Sequence, residues 1–471
     1  MNLTLMIGLF GLASAAQSAA EEVHFACGVK VGEVTDSSAV IWTRLTAKPD
    51  RNLAGVAWAE GADRVPEGRS LAEMEGSVAG ALGEVRLQWW PRSGVGSRLS
   101  TDWVPVNPER DFTHQFQVRD QLRAQTEYLF LVEGRPLGAE EAECSLIASF
   151  RTAPKEEVSA PATFTVITGQ EYARRDDKLG GHQIFAHMQV LNPDFFVHTG
   201  DVVYHDKPGP FAKSPELARY KWNRIYAMPL QRSFHAVVPS WFMTDDHDVL
   251  KNDCWPGQSY GELSWDEGLS IFREQTPTGP RPYRRLRWGR DLEVWFVEGR
   301  EFRSPNNMED GPLKSIWGAE QKAWFFETFA ASDATFRVLV SSTPVVGPDR
   351  SGKKDNHANE AFKSEGDELR AFLATQKDAY VICGDRHWQY VSEDPDSGIR
   401  EYSCGPTTDR HAGGFSQKNR SDTHRYLKVC GGFLAVSLDY PEDEATLTFR
   451  HHAADGSVNN EDVRAVEDQL H

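Results

Sequence analysis

The sequence contains few cysteines, and none has the spacing of a zinc-thiolate site. Only six occur in 471 residues, without a Cys-x-x-Cys pair, so we expect no zinc bound by thiolates. Cys27 with Cys144 and Cys404 with Cys430 are candidate disulfide pairs. The alternative is that several of the cysteines are buried free thiols.

Long apolar runs and an excess of positive charge are also absent. After the first twenty residues no stretch approaches the roughly 18 apolar residues of a membrane helix, so we expect no transmembrane anchor. Lysine and arginine number 51 against 69 aspartates and glutamates, a net charge of −18. This balance argues against nucleic-acid recognition. It leaves room for a small anionic substrate, because bound cations reverse the local charge.

Residues 1–20 have the features of a secretory signal peptide. An apolar stretch from Leu3 to Ala16 is followed by small residues up to Ala20, just before two glutamates. The segment before it has no lysine or arginine, and the alternative is a short N-terminal membrane anchor. We expect a protein exported to the periplasm or the cell exterior.

Residues 22–153 are predicted to form an N-terminal β-sandwich of the immunoglobulin or fibronectin III type. Short strand-like pieces separated by turn residues favour this fold. The pieces are 28–34, 39–44, 55–59, 112–118, 126–132 and 146–152. Residues 151–161 are typical of a linker.

Residues 162–471 alternate between strand and helix patterns, which predicts a second domain of the α/β class. The strand candidates are 163–168, 195–199, 240–244, 292–297, 337–342, 379–383, 433–440 and 445–452. The helix candidates are 180–191, 215–227, 318–331 and 359–375.

Three acidic clusters follow three of these apolar runs directly. They are Gly200-Asp201-Val-Val-Tyr204, Asp245-Asp-His-Asp248 and Gly384-Asp-Arg-His387. Taken singly, each is also compatible with an ordinary turn, or the second with a calcium loop. Ligands of α/β sheets gather at the carboxyl ends of strands. Carboxylates that converge there without cations would repel one another, so the three clusters together predict one metal site.

The residue types favour a pair of hard cations. Asp201 offers an oxygen ligand, and a phenolate such as Tyr204 suits a trivalent ion such as Fe³⁺. Asp385 and His387 are two residues apart, so in extended backbone they point the same way. A two-metal centre lowers the pKa of a water molecule and neutralises a phosphate, and a histidine can protonate the leaving oxygen. This is the chemistry of phosphoester hydrolysis.

The motifs resemble those of the alkaline phosphatase D (PhoD-type) family of calcineurin-like metallophosphoesterases. The resembling segments lie in order along nearly the whole chain after the first twenty residues, at 28–44, 197–204, 245–248, 300–305 and 384–387. The resemblance implies a metallophosphoesterase α/β/β/α sandwich after the N-terminal sandwich. It also implies an alkaline phosphatase or phosphodiesterase acting on a small phosphoester, with a phospholipase-like diesterase as the alternative on the same site.

The resemblance further implies two metal ions, Ca²⁺ and Fe³⁺, with a metal-bound hydroxide as nucleophile. Asp201 would bridge the two ions. Tyr204 and His387 would bind the iron, and Asp246 and Asp385 would bind the calcium.

The resemblance assigns the general acid to His247, with Asp245 or Asp248 as its orienting partner. Further candidates could bind substrate or support the site. They are Arg300, Asn252, Lys354 and His357. For Arg300 the alternative is a structural ion pair, and for the loop that carries Lys354 and His357 it is an ordinary surface loop.

One position departs from the family pattern. The family has a Ser-Cys-Gln motif after the first strand of the catalytic domain, with the cysteine on iron, and Gly169 stands at the place of that cysteine. Gln170, Glu171 or water would then complete the iron position, and another metal could occupy it. The alternative is a surface binding protein without catalytic activity.

Overall fold

The computed structural model describes residues 22–350 and 352–466. The predicted signal peptide lies outside this part. In the described part of the chain, no helix has the length and apolar character needed to cross a bilayer. The α-helices are α1 Ile184–Val190, α2 Pro215–Tyr226, α3 Pro229–His235, α4 Asp246–Val249, α5 Trp265–Gln275, α6 Gly318–Ala330 and α7 Lys363–Ala374.

Along the chain, one group of strands precedes helix α5 and a second group follows it. The first group is β1 Val29–Gly32, β2 Ser38–Arg44, β3 Glu84–Pro91, β4 Leu99–Ser100, β5 Val104–Pro105, β6 Thr113–Arg119, β7 Glu127–Arg135, β8 Cys144–Arg151, β9 Ala162–Ile167, β10 Phe195–His198, β11 Ser240–Phe242, β12 Ser259–Tyr260 and β13 Leu263–Ser264. The second group is β14 Arg284–Trp288, β15 Leu292–Phe296, β16 Phe336–Ser341, β17 Ala379–Cys383, β18 Gln389–Glu393, β19 Arg400–Cys404, β20 His424–Lys428, β21 Gly432–Asp439, β22 Thr446–Ala453 and β23 Val458–Ala465.

Two large sheets form the centre of the molecule. The first has nine strands in the order β23-β22-β21-β9-β10-β11-β1-β2-β6, and the second has seven in the order β14-β15-β16-β17-β19-β18-β20. The strands at the middle of each sheet are parallel. Parallel strands are buried on both faces, which is why 195–197 and 379–383 consist of apolar residues.

The two sheets pack face to face. Trp241 of β11 stacks on Phe296 of β15 with 4.6 Å between ring centroids. Tyr402 of β19 stacks on Phe449 of β22 at 3.9 Å. These pairs belong to one core cluster that draws residues from both sheets. Stacked aromatic rings add about 0.5–1.5 kcal/mol to their burial, so this interface joins the two sheets firmly.

Helices cover the outer faces of both sheets. On the first sheet, Phe185 of α1 and Phe234 of α3 pack against Phe196 of β10. On the second, Phe329 of α6 lies 4.4 Å from Trp295 of β15 between ring centroids, and α7 packs in the same cluster. The predicted mixed α/β fold is therefore confirmed, with two sheets between layers of helices.

The N-terminal strands share an apolar core, and three of them also belong to the first large sheet. Strands β1, β2 and β6 face β3, β7 and β8 across a shared apolar core, and β1 also pairs in parallel with β11 at Gly32 and Ser240. A side chain at Gly32 would collide with the carbonyl oxygen of Pro277 at 2.1 Å. The first sheet thus runs from the N-terminal part into the second half without a break.

Two sequence expectations in this region are wrong. Residues 55–59 are not a strand: Val56 makes only an isolated bridge with Met74, and most side chains of the segment face solvent. The proposed disulfides are absent as well, because all six cysteines are free. The Cys27 sulfur lies 3.7 Å from the backbone oxygen of Asn223. The Cys144 sulfur lies 3.7 Å from the backbone oxygen of Gly134.

A buried polar contact fixes the N-terminal strands to the helices beside the first sheet. Arg44 of β2 forms an ion pair with Asp111 at 2.7 Å. The other carboxylate oxygen of Asp111 accepts hydrogen bonds from Asn223 of α2 and Gln275 of α5, both at 2.7 Å. A buried ion pair of this kind is costly to break by removing one partner only.

Asp111→Ala is expected to lower the free energy of unfolding by about 3–5 kcal/mol, because Arg44 would stay buried without its counter-charge. Urea unfolding followed by circular dichroism measures the change. The matched control is Asp102→Ala at an exposed position, which should stay within about 0.5 kcal/mol of the parent. Equal stabilities of the two variants would contradict the anchoring role.

Candidate metal centre

Three strand ends deliver the predicted carboxylates to one place. Asp201 follows β10, Asp245 follows β11 and Asp385 follows β17. Asp201 and Asp385 have left-handed backbone, with φ of 58° and 59°, a conformation that aspartate tolerates better than most residues. Gly200 permits the close approach of two loops, since a Cβ atom there would lie 2.4 Å from Asp245 Cβ.

Asp201 lies at the centre of this arrangement. Two groups of side chains have potential ligand atoms within 4.8 Å of one another, Asp201 with Asp246 and His247, and Asp201 with Asp245 and Asp385. Burial raises the pKa of Asp201 to about 6. Asp201 Oδ1 and Asp245 Oδ2 are buried and have no hydrogen-bond partner. Buried carboxylate oxygens are rarely left unpaired, so these residues fit bound cations.

Tyr204 and His387 complete one side of the centre. The Tyr204 hydroxyl donates to Asp201 Oδ2 at 2.9 Å and lies 3.3 Å from His387 Nε2. His387 Nε2 is 3.9 Å from Asp201 Oδ2. Burial lowers the pKa of His387 to about 3, so the imidazole is neutral, the form that binds metals. The structure therefore brings together the four residues Asp201, Tyr204, Asp385 and His387.

Asp245 and Asp246 fall into different groups of potential ligands around Asp201. We expected Asp246 beside Asp385, whereas Asp245 is grouped with Asp385 and Asp246 is grouped with His247. The reason is local backbone geometry. Asp245 is the N-cap of the single-turn helix α4, and Asp246 is its first residue. The Asp246 carboxylate accepts backbone N–H groups of His247 and Asp253.

His247 has a different orienting partner from those we expected. Its Nδ1 lies 2.6 Å from Asp206 Oδ1, five residues after Asp201 in the chain. Burial lowers the pKa of His247, but the carboxylates of Asp246, Asp201 and Asp206 outweigh it and raise the pKa to about 9. The Asp206 carboxylate accepts the hydrogen on Nδ1, which leaves Nε2 for another partner.

Asp248 supports the loops of the site. Its carboxylate accepts N–H groups of residues 201, 202 and 203 at 2.7–3.0 Å and that of Asp245 at 3.0 Å. Because the Asp248 carboxylate accepts these four hydrogen bonds, it is not the partner that orients His247. Because they join the loop after β10 to the loop after β11, Asp248 fixes the separation of Asp201 and Asp245.

Arg300 and His357 do not face the cleft, against our expectation that they contact substrate. Arg300 is fully buried and binds Asp245 Oδ1 through Nε at 2.6 Å. His357 is fully buried and lies 2.9 Å from Glu365 Oε2. Arg300 instead forms a structural ion pair, the alternative to substrate binding, because its charge offsets the buried carboxylate of Asp245.

A cleft of about 270 Å³ opens onto the centre. Asn252 lines it, but Lys354 does not, and the neighbouring Lys353 takes its place. The other lining residues include Arg350, which belongs to the same loop as Lys354, and three that the sequence pattern does not indicate. These three are Arg174, Lys207 and His411.

Gly169 lies where the sequence pattern places a cysteine in related proteins. Its φ is +60°, and a Cβ atom there would lie 3.2 Å from His387 Nε2. A side chain at residue 169 would thus point at the metal centre. Gln170, one candidate replacement, turns away from it, because its amide oxygen lies 3.3 Å from His198 Nε2.

Comparison with known proteins gives the family. A model described as "PhoD-like phosphatase" matches residues 164–430, which is more than half of the chain. The chain belongs to the PhoD-like phosphatase family. The model of the N-terminal domain of PhoD-like phosphatases matches residues 11–154.

Relatives of this PhoD-like chain are distant. Alkaline phosphatase D of Bacillus subtilis (strain 168) is 21% identical over 361 residues, which are 67% of this chain. The match spans only 55% of that relative's length.

Two solved structures share the fold of this PhoD-like protein. A structure of PhoD has a TM-score of 0.71 at 15% identity and covers 96% of this chain and 90% of that chain. A purple acid phosphatase from yellow lupin (Lupinus luteus) seeds has a TM-score of 0.63 at 12% identity, with 93% and 74% covered.

Sequence reasoning missed Asp206 and His411 as members of the site. Asp206 lies close to Asp201 in the sequence, in the same loop, and this closeness could have indicated that it belongs to the site. His411 lies in a loop after β19 with no apolar run directly before it, and its Nδ1 is 3.0 Å from the carbonyl oxygen of Gly169. That contact joins residues 242 positions apart, which no local pattern indicates.

Asp248→Ala is expected to lower metal affinity about 10–100-fold although Asp248 is not itself a proposed ligand, because residues that orient ligands have effects of this size. Metal content after dialysis, measured by mass spectrometry, tests this. Asp266→Ala, at an exposed position in the first turn of α5, is the control and should keep the parent's metal content. Unchanged metal retention in Asp248→Ala would contradict the assigned role.

Proposed function

We propose that the protein is a metal-dependent phosphoester hydrolase of the alkaline phosphatase or phosphodiesterase type. The observation that carries this proposal is the position of Asp201. Its carboxylate belongs to two groups of potential metal ligands, and one of these groups contains His247. A shared carboxylate between two cation positions beside a protonated imidazole suits hydrolysis of a phosphoester.

We propose two cations, Ca²⁺ and Fe³⁺, with Asp201 shared between them. Tyr204 and His387 would hold one, and Asp385 would hold the other together with Asp245 or Asp246. When bound, such a pair neutralises the charge of the phosphate and lowers the pKa of a water molecule. The unpaired oxygens of Asp201 and Asp245 support this assignment.

His247 is the proposed general acid. Its Nδ1–H is bound to Asp206, which fixes the ring and leaves Nε2–H for the substrate. The neighbouring carboxylates raise the pKa of His247, which favours a ring that carries a hydrogen on both nitrogens. It can therefore give its Nε2 proton to the oxygen that leaves the phosphorus, so that the product departs as a neutral alcohol.

The cleft suits a small anionic substrate. Four basic side chains line it despite the negative net charge of the chain. They are Arg174, Lys207, Arg350 and Lys353. A cavity of about 270 Å³ lies at the lower end of the range for small-molecule sites. We therefore propose a small phosphoester rather than a nucleic acid as substrate.

We further propose that the protein is exported, with residues 1–20 removed as a signal peptide, and that residues 22–153 are an accessory β-sandwich of the immunoglobulin or fibronectin III type. The apolar run before Ala20 supports the first proposal. The packing of β1, β2 and β6 on β3, β7 and β8 supports the second.

The purified chain is expected to hydrolyse p-nitrophenyl phosphate or bis-p-nitrophenyl phosphate and to lose activity on treatment with a chelator. Activity should return when calcium and iron, or another metal pair, are supplied. The ratio of the two rates separates monoesterase from diesterase. Absence of hydrolysis with every metal would contradict the proposal and favour a binding protein without catalytic activity.

His247→Asn is expected to lower turnover about 10²–10⁴-fold, because the proton donor for the leaving oxygen is lost. The loss should be larger for an alkyl phosphate than for p-nitrophenyl phosphate, since p-nitrophenolate leaves readily without a proton.

Steady-state rates on both substrates and metal content are the measurements for His247→Asn. The control is His187→Asn, on α1 and outside the cleft, which should behave as the parent. Equal losses on the two substrates would show that His247 acts in some way other than leaving-group protonation.

A further inference from the structure

The proposed ligands leave a gap in the metal centre between Gly169 and His387. A Cβ atom at Gly169 would lie 3.2 Å from His387 Nε2 and 3.3 Å from Pro406 Cβ. The chain has no side chain at this position. A cation held by Tyr204 and His387 would therefore need a further donor on this side, from another residue or from solvent.

His411 lies on this side of the centre. Its ring centroid is 4.0 Å from that of His387 and 5.2 Å from that of Tyr204. Only 5% of its side chain is exposed, and it lines the same cleft as Asp201 and Asp385. The imidazole is thus a neighbour of both residues that we propose as ligands at this position.

The hydrogen bond of His411 determines which ring nitrogen is free. Nδ1 lies 3.0 Å from the carbonyl oxygen of Gly169. Because a carbonyl oxygen only accepts, Nδ1 carries the hydrogen, and the Nε2 of the neutral ring keeps its lone pair. Histidines that bind metals commonly donate their other ring N–H to a carbonyl or carboxylate in this way.

Glu171, which we had considered for the missing ligand, is less suited. Its Oε2 is 3.6 Å from His411 Nε2, too far for a hydrogen bond. The same oxygen lies 2.7 Å from Arg174 Nε, so its charge is already compensated.

We propose that His411, through Nε2, is a ligand of the cation that Tyr204 and His387 hold, and that it takes the place of the side chain absent at residue 169. This inference rests on the proposed two-metal function and specifies its ligands. Two imidazoles with oxygen donors, and no sulfur, suit a first-row transition metal such as iron.

Cobalt(II) binding to the full chain tests the inference, because the visible spectrum of Co²⁺ reports its ligands. His411→Ala is expected to bind Co²⁺ at least tenfold more weakly at this position and to change the spectrum, with the second cation retained. His424→Ala is the control. His424 is a buried histidine bound to Ser421 outside the cleft, and its replacement should leave cobalt binding unchanged.

The double variant Gly169→Cys/His411→Ala should recover cobalt affinity and gain a sulfur-to-metal charge-transfer band. Absence of that band would show that residue 169 does not face the cation and would overturn the replacement argument. Circular dichroism confirms that each variant folds.

His411→Ala with the parent's affinity and spectrum would overturn the proposal, as would an equal loss in His424→Ala. Loss of binding in Glu171→Gln but not in His411→Ala would assign the ligand to Glu171 instead. The readout is cobalt binding and does not depend on activity. A parent protein that binds metal but hydrolyses no phosphoester would therefore contradict the proposed activity and leave the proposal for His411 intact.

Discussion

The buried carboxylate of Asp248 holds the two central loops of the site together. It accepts four backbone N–H groups, three from residues 201–203 and one from Asp245. These donors lie at the ends of two adjacent parallel strands, so one side chain fixes the distance between the carboxylates that follow them. Arg300 contributes the complementary charge, since its buried guanidinium faces Asp245. Carboxylates repel at short range, and their convergence depends on these two fixed contacts.

The proposed chemistry follows from the same arrangement. The strand-end loops bring Asp201 and Asp385 together in backbone conformations that few residues adopt, and such strain is often found at functional sites. Asp206 fixes the ring of His247 on the neighbouring side. Four basic side chains line the cleft of a protein whose net charge is −18. The charges of these side chains and the shape of the cleft together favour binding of a small anion.

The sequence was informative where structure is local. Strand β17 and the helices α2 and α6 were predicted within a residue or so of their bounds, because apolar runs and helical spacing are short-range signals. The short helices α3 and α4 were not predicted, and neither was α5, although the capping box of Ser264 and Glu267 marks its start. Residues 55–59 were wrongly assigned as a strand, since tertiary contacts decide whether such a segment is buried. At the site, strand ends and residue types indicated Asp201, Tyr204, Asp385 and His387. The partners of His247 and Asp245 depend on long-range contacts, and so does the position of His411.

The pairing of β1 with β11 has a consequence for how the chain reaches its native state. The N-terminal strands belong to the same sheet as the β9–β10–β11 core, yet Gly32 meets Ser240 only after some two hundred intervening residues have been synthesised. Contacts so distant in sequence slow folding, because loop closure must precede them. A fragment that ends in the segment before β9 would carry an unpaired strand edge, which invites association with other chains. The N-terminal part therefore matures together with the rest of the molecule and not ahead of it.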